Sequence, residues 1–205
     1  MLPLMVRVAR LQIYVIGLVV LGVVCFGRSF IDLWVGDSFT GSYICAILII
    51  VPSLFQLPQE IGLQAIHVKN KVKPLARVFV CMAIISLVFS LMLAKPFGAI
   101  GIGISVFLAY ILRTIGMDVI LYRYLNINVF VFFKESFVKQ AIPLFICLIV
   151  GLAIENFLSV AGWIGFIIKG GMFCVCYGLI NYTLAMTDSE KQLILVFISK
   201  VFKLI

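Results

Sequence analysis

The chain has 205 residues, 64% of them hydrophobic and only 12% charged, with a formal charge of +8. A soluble domain is nearer half apolar and about a quarter charged, so a water-solvated fold is excluded and the bilayer is the expected solvent. The positive balance does not point to nucleic acid, because the Lys and Arg of membrane proteins gather in cytoplasmic loops and set orientation.

A spanning helix needs about 20 mostly apolar residues, and six stretches are read as spans. The first runs from about Leu11 to Phe26, and the second from about Tyr43 to Ile66 with a polar insertion. The third covers Leu75 to Ala94, and the fourth runs from near Phe97 to near Tyr122. The fifth covers Ala141 to about Ile154, and the sixth Trp163 to Ala185. The closing stretch, TDSEKQLILVFISKVFKLI, reads as an amphipathic helix lying in the interface. Thr187 and Glu190 have capping-box spacing at its start. The expected fold is therefore all-α: one membrane domain over residues 1–205, a bundle of six transmembrane helices, with 187–205 as an interfacial tail.

The loops orient this bundle. Arg7 and Arg10 precede the first span, and Lys69, Lys71, Lys73 and Arg77 follow the second. Arg123, Lys134 and Lys139 follow the fourth, and the tail carries Lys191, Lys200 and Lys203. The alternate segments hold only Arg28 and Lys95. The basic side is expected to be cytoplasmic, with both termini inside. The first apolar run lacks a small-residue cleavage site, so no secretory signal is expected.

Six cysteines lie mostly in apolar runs and read as small membrane-buried hydrophobes. Cys174 and Cys176 form C-x-C rather than a metal-type spacing, and His67 is the single histidine. No metal site, no cofactor and no catalytic constellation is expected. Gly98, Gly101 and Gly103 follow no strand, which argues against a dinucleotide loop; they suit close helix packing.

The second span carries the sharpest signal, FQLPQEIGLQ. Ser53, Gln56, Glu60, Gln64 and His67 share one helical face. Pro52 and Pro58 each remove a backbone donor, and irregular backbone survives in hydrocarbon only where protein or water covers it. Two readings stand: the stripe lines a wet cavity, or it is hydrogen-bonding glue between helices. Arg113 lies roughly 21 Å from the outer end of its helix, where an unpaired charge costs about 3 kcal/mol or more. It pairs across helices, with Glu60 as a candidate, or faces the cavity, or snorkels to the inner headgroups. Asp118 reads as a solvated interfacial residue. Lys169, about six residues from the outer end of its helix, snorkels or faces the same cavity. Gly170 and Gly171 beside it permit close packing or a bend.

The order of elements is itself informative. FIDLWVGDSF follows a spanning helix, then come a proline-bearing helix, a basic VKNKVKP turn and KPFGAIGIGIS. This resembles the polysaccharide flippases of the multidrug, oligosaccharidyl-lipid and polysaccharide exporter superfamily. The elements "I-x-L-W-x-G" and "G-x-x-G" stand here at Ile31–Gly36 and Gly98–Gly101, and "T-x-x-E" at Thr187–Glu190. The resemblance implies the C-terminal portion of a twelve- to fourteen-helix carrier in the bacterial inner membrane, hence a truncated or fragmentary carrier. It implies movement of undecaprenyl-pyrophosphate-linked oligosaccharide for O-antigen, lipopolysaccharide or capsule assembly. The partners implied are the lipid-linked oligosaccharide, the bilayer, and a missing N-terminal lobe or other assembly proteins. In that role Arg113 and Lys169 would meet the anionic head, Gln56 and Gln64 the sugar hydroxyls, and Glu60 a coupling proton or cation. A drug or ion exporter of the same superfamily is the alternative. A membrane-embedded polymerase or acyltransferase is a further one, disfavoured by the short outer loop without His.

Overall fold

The computed structural model describes residues 2–36, 39–158, 162–187 and 190–192. Every regular element among them is helical. In hydrocarbon, the backbone groups of a single open segment are all satisfied only within a helix, and five helical runs are long and apolar enough to cross a membrane.

The first helix, α1 (Leu2–Trp34), has 33 residues and so spans roughly 50 Å. Its buried residues Met5, Ala9, Ile13, Gly17 and Val20 recur every three or four positions, and it packs against elements on both of its sides. It overruns the expected span at both ends. The expected outer loop from Arg28 is helical as far as Trp34, where Phe30 and Trp34 pack as an aromatic pair and Phe30 also meets Trp163 and Phe166.

The second run is not one helix. It comprises α2 (Thr40–Ile50), α3 (Ser53–Gln56), a 3-10 turn (Leu57–Gln59) and α4 (Glu60–Val68). Pro52 precedes α3 and Pro58 sits inside the 3-10 turn. Each lacks the N–H that an α-helix would use, and each ring crowds the preceding turn. Both are buried, so protein covers the irregular backbone.

The run α5 (Val72–Leu125) has 54 residues and breaks at Gly98, with φ 57° and ψ −134°. Straight, it would hold Ser90 and Ser105 roughly 22 Å apart; their hydroxyls lie 2.6 Å apart. Val78 approaches Gly116, and Arg113 lies over Phe79. The two halves are therefore antiparallel and packed together. Gly101 is required at the fold-back: a Cβ there would stand 2.1 Å from the Leu93 carbonyl oxygen.

Asn126, with φ 52°, caps α5, and Asn128 opens α6 (Val129–Phe133) by accepting from Val131 N–H. A π-helical turn (Lys134–Val138) leads into α7 (Lys139–Phe157). The last run is α8 (Gly162–Ile180), closed by a second π turn (Asn181–Ala185). Of the expected tail, only residues 187 and 190–192 lie within the described residues.

Two apolar clusters hold the bundle. One gathers Met5, Ala9, Ile66, Leu75, Leu121 and Phe132 at one end. The other joins α1, α7 and α8 through Cys25, Phe26, Cys147, Ile154, Phe173 and Tyr177. The first cluster brings the start of α1, the α4–α5 turn and the end of α5 together, so Arg7, Lys69, Lys71, Lys73 and Arg123 share one end. Lys69 Nζ donates to the Tyr124 carbonyl there at 3.1 Å. All six cysteines are free; Cys25 and Cys147 are buried, whereas Cys81 and Cys174 are exposed. Gly170 and Gly171 have open space where a Cβ would stand, so neither serves a close helix contact among the described residues.

Candidate functional site

The break at Pro58 brings polar side chains into one group at the α3–α4 junction. Arg113 Nη1 donates to Gln56 Oε1 at 2.7 Å, and Nη2 to Glu60 Oε1 at 2.8 Å. One face of the guanidinium lies over the Phe79 ring, 5.3 Å from its centroid. Arg113 therefore pairs across helices with Glu60. Its fixed fork of donors meets two acceptors from one helical face, which a point-charge lysine would match less well.

The pair is unevenly covered. The Arg113 side chain is 12% exposed and that of Glu60 34%. Gln56 is buried and its Nε2 has no partner among the described residues. It borders a cavity of about 430 Å3 shared with Ser53, Tyr110 and the aliphatic Ala46, Ile49 and Ile50. Gln64 and His67 are exposed near the end of α4 and join neither the group nor the cavity. The expected continuous stripe is thus divided within α4: Gln56 and Glu60 join Arg113 across the 3-10 turn, whereas Gln64 and His67 are exposed.

Asp118 differs from its expected solvated role. It is half-buried, and its Oδ1 accepts from Gln59 Nε2 at 2.6 Å, Gln59 itself being 2% exposed. Gln59 stands at the end of the 3-10 turn, three residues after Gln56.

Lys169 is far from this group, between α7 and α8. Its Nζ lies 3.1 Å from Glu155 Oε2 and 3.4 Å from the Glu155 carbonyl. Ser29 of α1 also donates to Glu155. The ammonium is neutralised by a three-helix clamp rather than snorkelling. Glu155 was not expected as a partner, since the fifth span was drawn to end at Ile154.

A third polar group joins α1 to the tail. The Arg10 and Glu190 side chains are nearly fully buried, with Nε 2.9 Å from Oε1 and Nη2 3.1 Å from Oε2. Glu190 Oε2 also accepts from Thr187 N–H at 2.8 Å, the reciprocal half of the expected capping box. Among the described residues no three His, Cys, Asp or Glu side chains gather as a metal-binding group. Of the candidate residues, Gln56, Glu60 and Arg113 are brought together, while Gln64 and Lys169 stand apart. No family model, curated protein or solved structure matches the chain.

Proposed function

We propose that the chain is a six-crossing lobe of a carrier that moves lipid-linked oligosaccharide across the bacterial inner membrane. The fold-back of α5 at Gly98 supplies the sixth crossing, since each half has roughly 26 residues and reaches about 39 Å, enough for a bilayer core of about 30 Å. The shared basic end supports a cytoplasmic placement of that end and of both termini.

The observation that carries the reading is the Gln56–Arg113–Glu60 group. Discontinuous helices that hold polar groups at membrane depth are the usual place for a translocated solute's site, and intramembrane ionisable residues are functional candidates by default. Arg113 would meet the anionic head of the substrate and Gln56 its sugar hydroxyls, with Glu60 as the resident counter-charge. Lys169, already held by Glu155 and Ser29, contributes through the architecture of the lobe; Gln64 would meet substrate only at the lobe's inner end.

Deleting the gene in its host should trap lipid-linked oligosaccharide on the inner leaflet and remove surface polysaccharide. Normal surface polysaccharide in the deletion strain rejects the reading. One observation favours export of hydrophobic compounds instead: an apolar groove of about 640 Å3 between α1, α2 and α8, walled by Leu18, Phe26, Phe30, Trp34, Phe166 and Phe173. Under that reading the deletion strain keeps its polysaccharide and retains a lipophilic dye such as ethidium.

A further inference from the structure

The proline break in the second run determines what the cavity beside Gln56 presents. Pro52 follows α2 and has no N–H to hand back to it. The Ile50 carbonyl, at the end of α2, accepts from the Ser53 hydroxyl instead. The single proton of Ser53 is thereby committed, and its lone pairs remain. Gln56 is oriented by chemistry. A guanidinium carries donors only, so the carboxamide oxygen faces Arg113, 2.7 Å from Nη1. The NH2 end therefore points away from the arginine. Gln56 is 9% exposed, and its Nε2 has no hydrogen-bond partner among the described residues. A buried donor left unmatched is costly, and water is not there to match it inside a bilayer.

The cavity that Gln56 lines, about 430 Å3, has two further polar residues, Ser53 and Tyr110, and an aliphatic wall of Ala46, Ile49 and Ile50. Tyr110 stands roughly 18 Å along its helix from the fold-back at Gly98, so the cavity lies at membrane depth. It thus offers a fixed set: an N–H donor from Gln56, lone pairs from Ser53, a Tyr110 hydroxyl that serves either way, and a patch for a small apolar group. A phosphate brings acceptors alone and leaves Ser53 unmatched. An ammonium brings donors alone and leaves Gln56 unmatched. A sugar hydroxyl matches either atom but not the aliphatic wall. An acetamido group matches all three: its carbonyl accepts from Gln56, its N–H donates to Ser53, and its methyl packs on Ala46, Ile49 and Ile50.

We propose that this cavity is a specificity pocket for an acetamido group, so that the sugar it receives is an N-acetylated amino sugar. The inference rests on the carrier reading above and narrows the role of Gln56 from sugar hydroxyls to one functional group. It also sets where that group stands. One carboxamide reaches Arg113 with its oxygen and the cavity with its nitrogen. The anionic head at Arg113 and the acetamido group in the cavity are therefore neighbours on the substrate: the acetamido group sits on the carbon next to the one that bears the pyrophosphate.

Equilibrium binding of two radiolabelled lipids to the full chain in nanodiscs tests it. Both are polyprenyl diphosphates. One bears N-acetylglucosamine and the other glucose, which has a hydroxyl where the first has the acetamido group. The N-acetylglucosamine lipid should bind about tenfold tighter, since the glucose lipid leaves buried polar atoms unmatched. Gln56→Glu still accepts from Arg113 but turns a second acceptor toward the cavity, and it should abolish the preference. Ser53→Ala removes the lone pairs and should cut the preference several-fold. Both variants are read as the ratio of the two affinities. Equal affinities of the unaltered chain for the two lipids overturn the pocket and leave the carrier reading standing. Binding of neither lipid overturns both. A full preference retained by Gln56→Glu overturns the pocket. If Gln56→Glu fails to fold, Ser53→Ala decides: a reduced ratio supports the pocket, and an unchanged one overturns it.

Discussion

Arg113 and Lys169 are both basic residues inside spanning segments, and each meets one glutamate from another helix. Their backbones differ. Lys169 and Glu155 stand on regular helices, with Ser29 of a third helix completing the group. Arg113 meets Glu60 where proline has broken the helix into short pieces, beside a cavity, with one-third of the glutamate side chain uncovered. The same ion chemistry is a clamp where the backbone is regular and a candidate site where it is broken. The difference lies in coverage of the acid: the Glu155 side chain is 21% exposed and that of Glu60 34%, and the Arg113–Glu60 group borders a cavity through Gln56.

That comparison can be broken most directly at the clamp. Glu155→Leu should cost about 3–5 kcal/mol, because Lys169 stays buried without its counter-charge. Adding Lys169→Leu should recover most of the loss. Unfolding titrations in mixed micelles measure both, and a mild single variant would show that the clamp is less covered than described.

The broken side depends on its fold-back rather than on its charges. Gly101→Ala should cost about 1–3 kcal/mol, since a Cβ would press on the Leu93 carbonyl. In the otherwise cysteine-free chain, Ser90→Cys with Ser105→Cys should form a disulfide on mild oxidation, and Gly101→Ala should slow it.

Glu60→Gln should cost about 1 kcal/mol or less in the same titration, because a partly exposed pair contributes little and Gln still accepts from Arg113. Its effect on translocation should be far larger if the charge participates. The smallest effect is expected for Gln64→Ala, within about 0.5 kcal/mol, since its side chain is exposed.

Much of this architecture is legible in the sequence. The hydropathy runs, the basic turns and the disturbance at Pro58 follow from composition and helical spacing, and Glu60 stands among the alternatives they leave open for Arg113. The missed features have separate physical causes. Glu155 lies one residue past a hydropathy boundary, where an acid reads as loop, although the helix runs on to Phe157. Likewise Arg28 and Asp32 suggest a loop, yet they are four apart on α1 with 3.9 Å between Nε and Oδ2. Gln59 meets Asp118 across 59 positions of chain, in a short 3-10 turn beside a proline. The Arg10–Glu190 pair joins residues 180 positions apart, and no local pattern marks such a contact.

The central claim is that the broken helix opens Glu60 to water, with Gln56 buried beside it at the cavity wall, while its neighbours face lipid or protein. Leu57 and Glu60 make the sharpest contrast, because their exposures are similar: 37% for Leu57 and 34% for the Glu60 side chain. Single cysteines at 56, 57, 60 and 61, in a chain without native cysteines, should be treated with a membrane-impermeant maleimide. A thiol reacts as thiolate, which forms only where water reaches it. The account predicts labelling at 60, weaker labelling at the buried position 56, and none at 57 or 61. Labelling at 57 equal to that at 60, or an inert position 60, would contradict it and leave the Arg113–Glu60 pair as dry packing between helices.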